Sequence, residues 1–355
     1  MRLSDGSIAL RPFRDDDLDA YAECCADPES ISWGTRPAGP DARAIAREVI
    51  KHARAGAADG SRDVYVVEVD GALAGRVSLR YDGVGGAELG YETHPACRGR
   101  GLAERACRLL CTFGFTDREV AVIRWHAFTG NWASRRIAWK LGFSFEATSR
   151  RSIAQGGELR DGWGATLLAG EPMQPRRRWL TAPRLAGSGV VLRELRDDDV
   201  ERIVEGAGDP LIRRWLPFLP DPYGPAEARE FLETTRLDAA SGSDVTWAMA
   251  DPGDDRLIGC LGVDLERPEI GYWAHPAGRG RGLTTEAVRL ALGYCFSHEV
   301  GANRMTLRAG VDNTPSRRVA ERAGMRLVGM LRAGETLSDG VVDVALYDTL
   351  RDDHA

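Results

Sequence analysis

What this sequence lacks most plainly is a long apolar run. No stretch approaches the roughly 20 apolar residues a bilayer span needs, and the opening MRLSDGSIAL holds no apolar segment of signal-peptide length. A cytoplasmic protein with no membrane partner is expected. A basic excess is missing too. Lys and Arg number 47 against 53 Asp and Glu, a formal net charge of −6, which speaks against a general nucleic-acid partner. The seven cysteines (24, 25, 97, 107, 111, 260 and 295) are odd in number and form no CxxC pair. Neither a disulfide framework nor a zinc site is suggested, and no metal is expected. Cys107 and Cys111, four apart on one predicted helix face, read as packing residues. A Walker-type G-x-x-x-x-G-K-[ST] loop is absent as well.

What the chain does have, it has twice. HPACRGRGL at His94–Leu102 returns as HPAGRGRGL at His275–Leu283. From Glu88 to Leu102, against Glu269 to Leu283, eleven of fifteen positions are identical at an offset of 181. Leu10-Arg11, Arg14-Asp15-Asp16-Asp17, Asp27-Pro28 and Trp33 recur at an offset of 182, and NWASRR at 131–136 returns as NTPSRR at 313–318. So long a period is a duplicated domain rather than a solenoid repeat. The expected layout is domain one at 1–170, a linker at 171–183 with a solvated Arg176-Arg177-Arg178 run, and domain two at 184–355.

Each half reads as a mixed α/β (α+β) domain in the order β-α-α-β-β-β-α-β-α-β-β. The RDDD clusters fall where a helix start prefers negative charge, so they read as caps. Helices are predicted at 42–54 and 102–113, and at 225–237 and 283–296. Strands are predicted at 64–69, 73–81, 87–91 and 122–127, and at 245–250, 257–265, 269–273 and 304–309. The second half of each domain contains a short helix stopped at Gly142 or Gly324, in a left-handed cap.

The RGRG turn lies between a strand and a helix. Gly99 and Gly101, like Gly280 and Gly282, allow backbone geometry that a side chain forbids. Unpaired N–H groups at the helix start make an anion site, and Arg98, Arg100, Arg279 and Arg281 place positive charge nearby. The pattern suits a pyrophosphate.

Strand, then P-x-x-R-G-x-G, then helix resembles the coenzyme A loop of the GNAT acetyltransferase superfamily. Arg98-Gly99-Arg100-Gly101-Leu102-Ala103 fits the Q/R-x-x-G-x-G/A pattern in full. Arg279-Gly280-Arg281-Gly282-Leu283-Thr284 fits except at Thr284. An opening LR with an acidic helix, then E-[IL]-G-Y and N-x-x-S-x-R, resembles the ribosomal-protein N-terminal acetyltransferase (RimJ/RimL-like) branch. The resemblance implies two tandem acyl-CoA N-acyltransferase domains with acetyl-CoA as cosubstrate, held between two strands that part: 87–91 with 122–127, and 269–273 with 304–309.

The resemblance places Asn131, Ser134, Asn313 and Ser316 beside the pantetheine arm and the sulfur. Either Ser could donate a hydrogen bond to the leaving thiolate, or cap a helix as Asn and Ser commonly do. No tyrosine is expected there. Glu88 and Glu269 are candidate general bases or strand-end ion-pair partners. An unshifted Glu, near 4.3, would need raising by burial to help an amine near 7.7–8.0. His94 and His275 are expected to be exposed loop residues rather than a base or metal ligand, Tyr91 and Tyr272 packing or lining residues, and Trp33 and Trp215 core, with acceptor contact as the alternative.

The implied acceptor is the primary amine of a protein N-terminus or of a small molecule. The loops Ser32–Pro40 and Arg214–Pro225 differ, so the halves need not share it. A CoA- or partner-binding module without turnover, and one active half with one degenerate half, stay open. The internal tandem favours a monomer.

Overall fold

The computed structural model describes residues 2–35, 39 and 41–354. It divides into two compact units, Met1–Arg176 and Arg177–Ala355. Residues 36–38 and Pro40 of the first acceptor loop lie outside the described residues. Among those described, no helix is long and apolar enough to cross a membrane.

The first unit runs β1 (Leu3–Ser4), β2 (Ala9–Arg11), α1 (Leu18–Ala26), α2 (Pro28–Trp33), α3 (Ala42–Asp59), β3 (Arg62–Val69), β4 (Ala72–Tyr81) and β5 (Gly86–Thr93). It continues with α4 (Leu102–Thr116), β6 (Val122–Phe128), α5 (Trp132–Lys140), β7 (Ser144–Gln155) and β8 (Glu158–Leu168). The second runs β9 (Leu185–Ala186), β10 (Val191–Arg193), α6 (Val200–Ala207), α7 (Pro210–Trp215), α8 (Pro225–Ser241), β11 (Asp244–Ala250), β12 (Leu257–Asp264) and β13 (Glu269–Ala274). It ends with α9 (Leu283–Phe296), β14 (Arg304–Gly310), α10 (Thr314–Arg322), β15 (Arg326–Leu337) and β16 (Gly340–Leu350).

Each unit is one mixed eight-stranded sheet, ordered β1-β2-β3-β4-β5-β6-β8-β7 in the first and β15-β16-β14-β13-β12-β11-β10-β9 in the second. All neighbours are antiparallel except β5 with β6 and β13 with β14. A parallel pair needs a crossover, and α4 and α9 supply it. Period-two alternation gives each sheet two buried faces. On β11, Val245, Trp247 and Met249 pack against α9 with Ile270, Ala287 and Val288, whereas Ala248 joins Ile203, Leu232 and Cys260 beneath α6 and α8.

The acidic clusters do more than cap. Asp17 Oδ2 accepts from the Arg14 backbone N–H at 2.7 Å, and both Asp17 oxygens take the buried Arg11 guanidinium at 2.7 Å. Glu68 also holds Arg11. Asp199 and Arg193 repeat the fork at 2.8 Å. The arginine run is anchored rather than simply solvated. Arg176 donates to Gly142 O at 2.9 Å, Arg177 pairs with Glu266 at 2.8 Å, and Arg178 donates to Val300 O at 3.0 Å.

Candidate active site

Both RGRG turns begin as a single 3-10 turn, Pro95–Cys97 or Pro276–Gly278. The glycines then swing to positive φ: 74° and 71° at Gly99 and Gly101, 76° and 77° at Gly280 and Gly282. A Cβ built on any of the four meets nothing within 4 Å. The space above each turn is therefore open, and only the backbone conformation demands glycine there. Gly101 and Gly282 are N-cap residues with no side-chain cap. The first N–H groups of α4 (Leu102, Ala103) and α9 (Leu283, Thr284) have no capping side chain to receive them. An uncapped, glycine-lined helix start suits an anion.

The arginines at the head of each turn face inward to a carboxylate. Arg98 pairs with Asp27, reaches Glu29 at 2.8 Å and Ser30 Oγ at 3.1 Å. Arg279 holds Asp209 at 2.6 and 3.2 Å and donates from Nε to Ala274 O at 3.1 Å. Asp27 and Asp209 also cap α2 and α7, accepting from Ser30 N and from Leu211 N and Ile212 N. The Arg98 hydrogen bond lowers Asp27 to about 2, and Arg279 lowers Asp209. Each arginine thus ties the turn to the helix that begins at the Asp-Pro pair. Arg100 is exposed, and Arg281 approaches Asp251 at 3.4 Å.

The histidines are buried, not exposed. His94 and His275 keep 9% and 6% of their surface. Their backbone N–H groups still pair with β4 and β12, at Ala74 O and Ile258 O, which tucks the rings under the turn. There Nδ1 accepts from Ala96 N or Ala277 N. Nε2 meets Glu23 at 3.2 Å or Glu205 at 3.3 Å.

Beyond the turns, the parallel strands part. β5 and β6 pair from Gly86–Val122 to Leu89–Trp125, and β13 and β14 pair only at Glu269–Thr306. Past those points the facing edges carry backbone groups with no strand partner across the gap. Asn131 and Asn313 cap the helices beyond it, accepting from Ser134 N at 3.1 Å and Ser316 N at 3.2 Å.

Neither α5 nor α10 carries a tyrosine, but one reaches each helix from a neighbouring strand. Tyr91 and Tyr272 reach across from β5 and β13, and each hydroxyl meets a serine hydroxyl: Tyr91 with Ser134 at 2.7 Å, Tyr272 with Ser316 at 2.9 Å. In the first unit Trp125 Nε1 donates to the Tyr91 hydroxyl at 2.9 Å. Burial pushes the Tyr272 phenol up to about 12 and Tyr91 further. Both remain protonated donors at neutral pH. The signal was the repeated G-Y two residues after the repeated Glu. Its meaning depended on which strand faces the serine.

Glu88 and Glu269 occupy the same strand position in different surroundings. Glu88 is gripped by Arg80, its cross-strand neighbour. Glu269 has Asp264 as that neighbour. Burial raises the Glu269 carboxyl above its ordinary value, with Arg308 opposing and Asp264 adding to the rise. Glu269 and Tyr272 line one cavity of about 480 Å³ beneath α6, α7 and α8. Trp215, like Trp33, is half-buried rather than core. Its ring closes on Gly310 at the end of β14, where a Cβ would sit 2.4 Å from it. A separate cavity of about 340 Å³ lies between β1 and α4, lined by Ser4, Arg105 and Phe113.

The family model described as "Acetyltransferase (GNAT) domain" matches residues 7–144 and again 190–326. The chain belongs to the GNAT acetyltransferase family. It carries two GNAT domains, one per sheet. It is similar to the ribosomal-protein-serine acetyltransferase of Escherichia coli, with 34% identity over 104 residues, 28% of this chain and 58% of that protein. It is also similar to the putative ribosomal N-acetyltransferase YdaF of Bacillus subtilis, with 28% identity over 170 residues, 46% of this chain and 91% of that protein. A solved probable acetyltransferase matches at 26% identity and a TM-score of 0.45, covering 48% of this chain and 98% of its own.

Arg279→Ala is expected to weaken acetyl-CoA binding in the second GNAT domain by about ten- to a hundred-fold, as losing charged hydrogen bonds worth ~1.5–3 kcal/mol would. Calorimetric titration should show the first domain unaffected, with Arg98→Ala giving the mirror result.

Proposed function

We propose that this chain is an acetyl-CoA-dependent N-acetyltransferase in which both GNAT domains hold the cosubstrate and the second performs the transfer. The single observation that carries the reading is the joint placement of Glu269 and Tyr272 on one cavity at the point where β13 and β14 part. The acceptor is a primary amine of a protein N-terminus or a small molecule.

The uncapped N–H groups of Leu283 and Thr284 receive the pyrophosphate, and Arg279 keeps the turn in shape. A backbone N–H on the parted edge of β13 polarises the thioester carbonyl. Glu269 takes a proton from the incoming ammonium. The nitrogen attacks, the C–N bond forms and the C–S bond breaks. Of the three ammonium protons, one stays on the amide, one ends on the CoA thiol and one goes to solvent. A thiol titrates near 8.5, so the departing thiolate needs only a hydrogen bond, which the Ser316–Tyr272 pair can donate. In the first domain the same donors are present, but Arg80 occupies the carboxylate of Glu88. That domain is assigned to cosubstrate binding. No metal enters the scheme. The chain is taken to act as a monomer in the cytoplasm.

Calorimetric titration of the full chain with acetyl-CoA should give two sites. Thiol release with an amine panel should then show turnover that Tyr272→Phe slows. Absence of acetyl-CoA binding would overturn the reading. Turnover that survives loss of Tyr272 but not of Tyr91 would move the active site to the first domain.

A further inference from the structure

The two GNAT domains present equivalent sheet faces to their acceptor helices, and the rows of those faces can be compared residue by residue. In the second domain, cross-strand register sets Asp244, Asp264, Glu269 and Thr306 in one row. In the first, the same row is Arg62, Arg80, Glu88 and Arg124. Two rows deeper, the second domain has Ala248, Cys260 and Trp273, where the first has Val66, Arg76 and Glu92. Arg76 and Glu92 approach within 3.8 Å, and Glu92 also receives the Tyr21 hydroxyl at 3.1 Å. The duplicated face has thus exchanged a charged floor for an apolar one and a basic row for an acidic one.

The cavity of the second domain follows from that exchange. Its row between the acids and Trp273 holds Gly262 and Gly271, where the first domain has Ser78 and Gly90. A Cβ on Gly271 would meet open space. The glycine floor leaves depth, and Ile203, Ile212, Leu216, Phe231 and Trp273 form the wall. Asp244, Asp264 and Glu269 line the edge, with Arg267 and Arg308 on the same rim. The Arg308 guanidinium donates to Gly334 O at 3.0 Å, and Asp264 is fixed by the N–H groups of Glu266 and Arg267 at 2.8 Å. A volume of about 480 Å³ lies within the ordinary range for a small-molecule pocket, roughly 300–1,000 Å³.

We infer that the acceptor of the second domain is a cationic primary amine on an apolar body with no carboxylate beside the amine. The body fills the wall of Ile212, Leu216, Phe231 and Trp273, and the ammonium sits at the row of Asp244, Asp264 and Glu269. A carboxylate next to the amine would face three acids against two rim arginines, one of which, Arg308, is already bonded to Gly334 O. A strongly polar body would leave its hydroxyls unpaired against the wall, which a site built this way disfavours. An arylalkyl amine and a peptide N-terminus with an apolar first side chain share this chemistry. Burial raises Asp244 and the neighbouring Asp264 adds to the rise, against a hydrogen bond from Ser243 that lowers it, as expected of acids crowded together. The inference rests on the acetyltransferase reading and narrows it.

The test is a thiol-release assay on the full chain with matched amines at fixed acetyl-CoA, beside the calorimetric titration. The probes are 2-phenylethylamine, phenylalanine, ethanolamine and short peptides beginning with Leu or Ser. Expected is a kcat/KM for 2-phenylethylamine at least about ten-fold above ethanolamine, the worth of one buried ring, and likewise above phenylalanine. The Leu peptide against 2-phenylethylamine tells which source of the chemistry is preferred. Asp244→Asn with Asp264→Asn keeps side-chain oxygens for the turn. It should lower the rate with 2-phenylethylamine and narrow the gap to phenylalanine. Leu216→Asp, at a half-exposed position, should erase the preference over ethanolamine. Phenylalanine or ethanolamine matching 2-phenylethylamine, or indifference to both sets of variants, overturns the inference while turnover keeps the acetyltransferase reading. A chain that binds no acetyl-CoA and acetylates none of these amines overturns both.

Discussion

Glu269→Gln is expected to lower kcat/KM by about a hundred- to ten-thousand-fold, the span of a lost general base, whereas Glu88→Gln leaves the rate unchanged. The contrast follows from the neighbours. Glu88 already spends its charge on Arg80, and Glu269 faces Asp264 across the strand. The pH dependence should separate chemistry from folding. Because burial raises Glu269 above its ordinary value, the parent rate climbs as pH rises through that raised value, and the Gln variant lacks this limb. Linkage gives stability the opposite sign. The native state holds the Glu269 proton to higher pH than the unfolded chain does, so parent stability falls as pH rises from the ordinary glutamate range through the raised value. Glu269→Gln is spared that loss. An inactive variant at least as stable as the parent at neutral pH, measured by thermal unfolding, is the expected pair of results. A variant that loses activity and stability together would mark Glu269 as structural.

Asp17→Ala is expected to cost about 3–5 kcal/mol, because it takes one of two carboxylates away from a buried guanidinium. Arg11 and Asp17 side chains are 6% and 5% exposed. Measured stabilities of single domains run about 5–15 kcal/mol, so the loss is a large share of the first domain's total. Glu68 remains beside Arg11 in the variant, which sets the lower end of the range. Burial alone would raise the Asp17 carboxyl. The Arg11 hydrogen bonds and the Arg14 N–H outweigh burial and hold it below the ordinary value. Its stabilisation is therefore present above the unfolded carboxylate pKa and disappears as pH falls through the lowered native value. Denaturant unfolding of parent and variant over a pH series should show the gap closing in acid. A gap that stays constant to low pH would mean that the ion pair is not its source.

Much of this architecture was legible before any coordinates. Helical and strand periodicity located the central elements, and the duplication located them twice, because a pattern that recurs in one context is unlikely to be chance. The glycines of both turns announced an unusual backbone, since glycine alone adopts a positive φ without a side-chain penalty. The caps were legible for the same local reason: Asn131 and Asn313 stand three residues ahead of the N–H groups they accept from.

What was not legible depends on contacts between residues far apart in the chain. Arg98 and Arg279 read as charges for a phosphate, but their partners Asp27 and Asp209 lie about 70 residues upstream. The histidines read as loop residues, because nothing local shows that a loop N–H still pairs with β4 or β12. Tyr91 and Tyr272 read as lining, because only strand order brings β5 and β13 against the helix that carries the serine. The sequence by itself determined two GNAT domains with two glycine-lined turns, since those features are set by local backbone chemistry. Only the tertiary structure decided that Glu88 and Glu269, at the same position of the repeat, differ in their surroundings. Cross-strand register chooses each one's neighbour, and the electrostatics of a carboxylate are set by what stands beside it.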